Sequence, residues 1–501
     1  MSSVNERYIL AHDLGTSGNK AALFDSAGRM AASARRSYKT YYPKPGWVEQ
    51  NPADWWDAVC AATLELLESG AATPGQIECV ALCGHMMGCV LADTDGEALR
   101  PAIIWADTRA AKQEAGLLAA VGMEEGYKIT GHRMSASYTA AKLMWVRDNE
   151  PFAYNAADKF LNAKDYILRR LTGAFVTDYS DASGTNLFDL VNMRWSDAIM
   201  ADIGLRPSLA PELRASTDIA GYLTQEAAAA CGLLAGTPVV TGGGDGSCAC
   251  VGAGAVKEGD VYGILGSSSW ISSVAPRPLF DPEFRVFNWV HLDSSLYTPC
   301  GTMQAAGVSA QWFADTLAGG AHIGGLDELV ADSPPGANGL IYLPYLLGER
   351  SPRWDIEARG AFVGLSATTR REDMARAVAE GVGLNLRIII DCLGISPGAA
   401  ITMIGGGAES DVWMGVLADI WDRGVVLPEY LSEATSLGAA LAGGIGVGIF
   451  DGFGDIIKMN PPRRELAPRT GRSVLYDGLM RAFDAAYEGL RGANAMLARL
   501  R

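Results

Sequence analysis

The apolar positions of this 501-residue chain fall into short continuous runs and into stripes at helical spacing, and the two kinds alternate. The run ending at Leu10 predicts a strand; GTSGN after it reads as a turn, AALFD as the returning strand and DSAG as a second turn. NPADWWDAVCAATLELLESG has an Asn51 cap, Pro52 at the first helical position, apolar residues at helical spacing and Gly70 as a stop, which predicts a helix. IECVALCG, Ile77 to Gly84, predicts a buried strand, and SYTAAKLMWVRDNEP a helix ended by Pro151. PVVTGGGDG predicts a strand entering a Gly-rich loop, GDVYGILGSSSWISSVAPRP a second strand–turn–strand, and ITMIGGGAESDVWMGVLADIW a strand, a Gly turn and a helix. TSLGAALAGGIGVGIF is too short and too Gly-rich to span a membrane and reads as a buried helix. This alternation marks an α/β chain.

The two hairpins with Gly/Ser/Thr turns lie half a chain apart, which predicts two duplicated domains facing a shared cleft. The length agrees, because it exceeds what one hydrophobic core supports. The break is placed near residue 255, giving domains over residues 1–255 and 256–501, with no low-complexity linker between them. Apolar residues make up 49% and charged residues 20%, so core material is plentiful. Lys and Arg number 41 against 57 Asp and Glu, a net charge of −16. With no long basic run, that balance argues against nucleic acid and anionic membranes as partners, and a polyanionic ligand would need a local site. The start, MSSVNERYILAHDLG, lacks the basic and apolar regions of a secretory leader. The nine cysteines are scattered without a CxxC pair and only five His occur, which predicts reduced core thiols rather than zinc. A cytoplasmic location is expected.

Four loops carry candidate chemistry. In TGGGDGSCACVGAG, Asp245 is the one charged residue among small ones. It reads either as a helix cap or as a carboxylate facing a small ligand across bare backbone. In the first hairpin, Thr16, Ser17 and Lys20 offer hydroxyls and a cation to an anion, and Asp13 at the strand end offers a ligand to hydrated Mg²⁺. The turn at Gly266, Ser267 and Ser268 offers a second phosphate seat. The turn GGGAES leaves no side chain against a flat ring and opens a helix N-terminus. Each loop taken singly also reads as an ordinary turn. Neither a Walker loop nor a GxGxxG dinucleotide motif occurs.

The order hairpin, Gly-Asp loop, hairpin, Gly turn resembles the superfamily of sugar kinases, actin and heat-shock chaperones. Within it the chain resembles the FGGY carbohydrate kinases over essentially its whole length. SYTAAKLMWVRDN (Ser137–Asn149) is similar to one signature of that family. GAFVGLSATTRREDMARAVAE (Gly360–Glu380) is similar to the other, with Ala379 where a larger apolar residue is usual. PYLLGERSPRWDIEARG, IIWADTR, GGGAES and SEATSLGAA resemble the xylulokinase branch. The resemblance implies two duplicated ribonuclease-H-like domains with a cleft between them. The N-terminal one would hold the sugar site, the first phosphate hairpin and the Asp loop. The C-terminal one would hold the second hairpin and the nucleoside site. It also implies transfer of the ATP γ-phosphoryl group to a sugar hydroxyl with Mg²⁺. Asp245 would be the base, and Asp13 and Asp245 would place the metal. Thr16, Ser17 and Lys20 would lie at the phosphates opposite Gly266, Ser267 and Ser268. Gly307, Gln311, Gly407, Ala408 and Asp411 would line the nucleoside side. Such kinases are commonly homodimers.

For the acceptor, GHMMG (Gly84–Gly88) stands where xylulokinases usually have GQMHG, and Gly246 stands where many have Asn. The resemblance implies that His85, Met86, Trp105, Asp107, Asp245 and Gly246 meet the sugar, with Trp105 stacking on its carbons. Met86 and Met87 read equally as core packing. Ser137 replaces the Tyr of glycerol kinases and GHMMG lacks their Arg-Glu pair, which disfavours glycerol. D-Xylulose, yielding xylulose 5-phosphate, is the first expectation, with other pentuloses, polyols and sugar acids left open. The competing classes are a catalytically idle sugar or nucleotide sensor and a chaperone-like ATPase. The retained Asp13, Lys20 and Asp245 disfavour the sensor, and the absence of a long β-sandwich extension disfavours the ATPase.

Overall fold

The computed structural model describes residues 6–320 and 326–500; residues 1–5, which head the segment read above for a leader, lie outside them. The apolar runs build two mixed sheets. The first contains β1 (Tyr8–Leu14), β2 (Gly18–Asp25), β3 (Met30–Ser37), β4 (Ile77–Gly84), β5 (Ile219–Tyr222) and β6 (Pro238–Gly244), in the order β3-β2-β1-β4-β6-β5. β1, β2 and β3 form an antiparallel meander, β4 runs parallel to β1, β6 parallel to β4, and β5 antiparallel to β6.

The second sheet contains β7 (Val261–Leu265), β8 (Ser269–Ser273), β9 (Phe287–Val290), β10 (Tyr297–Met303), β11 (Ile401–Ile404), β12 (Val425–Pro428) and β13 (Pro462–Leu466). Their order is β9-β10-β8-β7-β11-β12-β13. β7 and β8 pair antiparallel, as do β8 and β10, while β11 is parallel to β7, β12 parallel to β11 and β13 antiparallel to β12. Strand for strand, β10-β8-β7-β11-β12-β13 repeats β3-β2-β1-β4-β6-β5 in order and sense, and β9 is an extra edge strand. This is the duplicated ribonuclease-H-like architecture that the two hairpins predict.

Helices cover the sheets because their apolar stripes need a sheet face. Along the chain, those that bear on the site are α1 (Pro52–Glu68), α2 (Thr139–Asn149), α3 (Ala163–Thr172), α4 (Tyr179–Ser183), α5 (Asp245–Gly252), α6 (Gly307–Thr316), α7 (Arg371–Cys392), α8 (Asp411–Trp421) and α9 (Ala434–Gly446). The Asn51 side chain caps α1 by accepting from Ala53 N, as its position implies. α9, the Gly-rich segment read as buried, is apolar along its packed face except for the buried Ser436 and belongs to the first sheet's core. Leu437, Leu441 and Ala442 pack with Ile9, Ala81, Cys83 and Val240. The core of the first half is thus completed by residues from the second half.

α5 and α9 touch backbone to backbone. A Cβ on Gly252 would lie 1.7 Å from Ala434 O, and one on Gly438 would lie 2.0 Å from Cys248 O. The glycines let the two helices approach this closely and thereby fix the start of α5 against the sheet. Among the described residues no helix is long and apolar enough to cross a membrane.

Candidate active site

The parallel strands deliver two carboxylates to one place. Asp13 on β1 is in register with Cys83 on β4, and Cys83 is in register with Gly243 on β6. Asp13 and the start of α5 therefore emerge at the same end of the sheet. Asp245 is the first residue of α5; Gly244 is the cap, and the Asp245 carboxylate accepts from Gly246 N at 2.8 Å. Asp245 is therefore not the helix cap that one reading of the loop made it, since Gly244 holds that position and no side chain caps the helix. Burial and the neighbouring Asp13 charge push the Asp245 carboxyl up to about 7. Burial also raises Asp13, partly offset by Lys20. Two half-buried carboxylates, both raised by burial and one of them also by its neighbour, suit a divalent cation, whose charge removes the repulsion. Mg²⁺ typically keeps several waters and takes one or two protein carboxylates plus phosphate oxygens. Among the described residues no group of three or more His, Cys, Asp or Glu converges for a metal.

Asp245 opens onto a cavity of about 190 Å³. Its walls combine aromatic and thioether surface (Met86, Met87, Trp105, Trp270, Trp289) with polar groups (Thr16, His85, Gln304, Arg350). His85 is 2% exposed, and neither ring nitrogen has a hydrogen-bond partner. Burial lowers its pKa to about 4. The ring is therefore neutral at physiological pH and presents one donor and one acceptor to a hydroxylated guest. Trp105 Nε1 donates to Thr16 Oγ1 at 3.0 Å, tying the tryptophan to the first hairpin. The 84–88 loop is clamped by buried Lys142 on α2, which donates to Met87 O and Ser137 O, each at 2.6 Å. Met87 takes φ 63 there, a conformation a methionine rarely adopts.

A second cavity, about 720 Å³, lies wholly in the second half. Gly266, Ser267, Gly307, Gln311 and Gly407 line it, over an apolar floor of Phe313, Val378, Ala379 and Trp413. Ala379, the departure from the second signature, thus forms part of this wall. Gly307 packs on the second hairpin so closely that a Cβ would lie 2.5 Å from Gly266 O. That turn is shared between the cavities: Gly266 and Ser267 face the large one and Ser268 the small one.

Several expectations need correction. Asp107 does not reach the sugar cavity. It is fully buried, and its carboxylate is consumed by Arg109 Nη2 at 2.7 Å and by Val48 N. Ala408 is also fully buried and does not line the large cavity, and Asp411 pairs with Arg464; Glu409, Ser410 and Asp327 take those places in the wall. Lys20 lines neither cavity: Nζ donates to Ser432 O at 2.6 Å and lies 3.9 Å from Glu433, bridging the halves. Ser17 accepts from Arg35 instead of facing a cavity. The reason for the stripped-down Asp loop also differs. A Cβ on Gly242 would lie 1.8 Å from Leu82 O, and one on Gly244 would lie 2.5 Å from Met86 Sδ. Gly246 and Gly254 alone of these glycines would meet nothing nearer than 3.5 Å, so most of them serve packing. Cys248 and Cys250 are fully buried, and burial pushes both thiols up, leaving them protonated and unreactive.

Residues that reading the sequence missed are Arg350, Gln304, Trp270 and Trp289 in the small cavity, and Arg35 beside the first hairpin. Arg35 is cross-strand from Lys20, so the alternation of β3 would have exposed it had the register been known. The others come from strands and loops distant in sequence, with no local signal.

With this geometry established, similarity to known proteins is informative. The model for the N-terminal domain of the FGGY family of carbohydrate kinases matches residues 8–252, and that for the C-terminal domain matches residues 261–447. A xylulose kinase from Bacillus subtilis (strain 168) is 34% identical over 447 residues, covering 89% of each chain. A gluconokinase from Bacillus licheniformis is 30% identical over 490 residues, covering 95% of this chain and 94% of the relative. The structure of ligand-bound xylulose kinase from Lactobacillus acidophilus superposes with a TM-score of 0.93 at 26% identity, covering 98% of this chain and 100% of that one.

Proposed function

The chain belongs to the FGGY family of carbohydrate kinases, and from that premise we propose that it phosphorylates D-xylulose to xylulose 5-phosphate, with Asp245 as the general base. It is a sugar kinase and uses ATP as kinases of this family do. The observation that carries the finer reading is the shared turn: one face of Gly266–Ser268 borders the cavity with Asp245, the other a cavity large and apolar enough for a nucleoside. A γ-phosphate passing between the two must cross that turn.

In this reading the acceptor hydroxyl donates to the Asp245 carboxylate. The carboxylate takes the proton as the hydroxyl oxygen attacks the γ-phosphorus, and the bond to the β-phosphate oxygen breaks, releasing ADP. Asp13 and Asp245 would hold Mg²⁺, which supplies charge neutralisation at the transferring phosphate. Positioning and electrostatics dominate such a step, because little covalent chemistry is asked of the protein. His85 and Gln304 would read acceptor hydroxyls, and Trp105 would cover its carbon face.

A second acceptor class is favoured by one observation. Arg350 lines the small cavity, and no carboxylate among the described residues lies within ion-pair distance of it. Its guanidinium stands 5.9 Å from the Trp354 ring centroid. A guanidinium without a carboxylate partner suits a sugar acid. Coupled measurement of ADP release with Mg·ATP over ketopentoses, polyols and D-gluconate separates the two. D-Xylulose is expected to give the highest kcat/KM; preference for D-gluconate would transfer the assignment to sugar acids. Binding of sugar without ADP release would support the idle-sensor class.

The raised carboxyl also sets a pH dependence. The base acts when ionised, so kcat/KM should fall tenfold per pH unit below about 7 and level off above it, reporting the Asp13–Asp245 pair in the free enzyme. Cation binding relieves the mutual repulsion, so the limb of kcat should lie at lower pH. A kcat/KM profile flat down to about pH 5 would contradict the assignment.

A further inference from the structure

Behind Asp245 lies a buried charged group that phosphoryl transfer, as described, does not use. Lys164 and Asp165 on α3, Asp178 capping α4 and Asp181 within it are each at most 1% exposed. Lys164 Nζ lies 2.6 Å from Asp165 Oδ1, 3.0 Å from Asp178 Oδ1 and 3.6 Å from Asp181 Oδ2. The centre of the group is an ammonium. A buried array of this kind is weak as a stability device, because desolvation consumes most of the Coulomb gain.

Its hydrogen bonds lead to the site. Asp178 Oδ2 accepts from the Ser180 hydroxyl and from the Ser216 hydroxyl, the latter at 3.0 Å. With its proton committed to Asp178, Ser180 Oγ has a lone pair free, and it accepts from Gly244 N at 3.0 Å. Gly244 is the last residue of β6 and immediately precedes Asp245. From the opposite side, Ser247 Oγ donates to Val290 O at 2.7 Å and ties α5 to the edge strand β9 of the second sheet. The peptide that carries Asp245 is thus held from both sides, and on the first by a hydroxyl whose direction is set by the Asp178 carboxylate.

We infer that Ser180 is a positioning residue for phosphoryl transfer: oriented by Asp178 and Lys164, its hydroxyl sets the Gly244–Asp245 peptide and so the aim of the Asp245 carboxylate. The inference rests on Asp245 being the base. Loss of the hydroxyl leaves a buried N–H unpaired, and the peptide turns to find another acceptor. A displacement of about 1 Å at reacting groups costs about 10²-fold in rate.

The test compares Ser180→Ala, Ser180→Thr and Asp245→Asn with the unaltered protein, using Mg·ATP and the best acceptor of the panel above. Ser180→Ala is expected to melt cooperatively, to keep both KM values within about twofold and to lose about 10- to 100-fold in kcat. Recovery of kcat in Ser180→Thr, which retains the hydroxyl, supports the positioning role. A Ser180→Ala kcat within about twofold of wild type overturns it, as does a loss of kcat with both KM values raised in proportion, the sign of general structural damage. If Asp245→Asn turned over normally, the base assignment itself would fall. If Asp245→Asn is inactive and Ser180→Ala is unimpaired, only the inference about Ser180 falls.

Discussion

Replacing Asp245 with Asn is expected to lower kcat by about 10²–10⁴-fold, the usual contribution of a positioned base, with both KM values nearly unchanged. The amide keeps the size of the carboxylate and can still accept from Gly246 N, the one hydrogen bond the side chain makes among the described residues. What it loses is the capacity to take a proton, which matters only as the acceptor hydroxyl becomes an alkoxide, and one charge of the pair that would hold Mg²⁺, which saturating Mg²⁺ in the assay offsets. An interaction used only in the transition state appears in kcat and in kcat/KM equally. The substitution also removes the carboxylate that burial and the Asp13 charge raise. Steady-state kinetics with an ATP-binding titration checks the result; activity within a few-fold of wild type would remove Asp245 from the chemistry.

How far the sequence discloses this site depends on where each residue's signal lies. Asp13 and Asp245 stand at the ends of apolar runs, beside turns, where local pattern is strong. The duplication was legible for the same reason: each hairpin is a contiguous strand–turn–strand. Ile77–Gly84 has the predicted bounds as β4, and its continuous apolar run reflects burial on both faces of a parallel strand. The packing of α9 onto the first sheet was not legible, because a Gly-rich apolar helix shows that it is buried and not against what. The small cavity was legible only on its N-terminal side. Trp270, Trp289, Gln304 and Arg350 come from β8, β9 and loops of the second half, and only the relative placement of the two sheets brings them to Asp245. Ser180 carries no motif of its own; its relation to Gly244 spans 64 positions in the chain.

Asp107 shows how a correct loop can yield a wrong role, and its substitution should separate the two readings by a large margin. Trp105 and Asp107 stand in one short loop, yet the tryptophan turns to the cavity and the aspartate turns away. Asp107 Oδ1 accepts from Arg109 N at 2.9 Å and Arg109 Nε at 3.0 Å, while Oδ2 accepts from Arg109 Nη2 at 2.7 Å. The Arg109 side chain is fully buried and lies 3.8 Å from the Trp47 ring centroid and 5.0 Å from that of Trp145. Its other carboxylate partner, Glu49, is shared with Arg100. Asp107→Ala would therefore leave a buried guanidinium with half a partner and the Val48 N–H with none. Breaking a buried pair from one side costs about 3–5 kcal/mol, a large share of the roughly 5–15 kcal/mol that holds a domain folded. The expected outcome is a marked fall in the urea midpoint and melting temperature, with kcat of the folded fraction close to wild type. A sugar ligand would behave in the opposite way, with an unchanged melt and a steeply raised KM for the acceptor. The Asp107→Asn variant sharpens the comparison: it keeps the volume and removes only the charge, so an intermediate loss of stability is expected from an ion pair embedded between indoles. Stability like wild type in both variants would restore Asp107 to the sugar site.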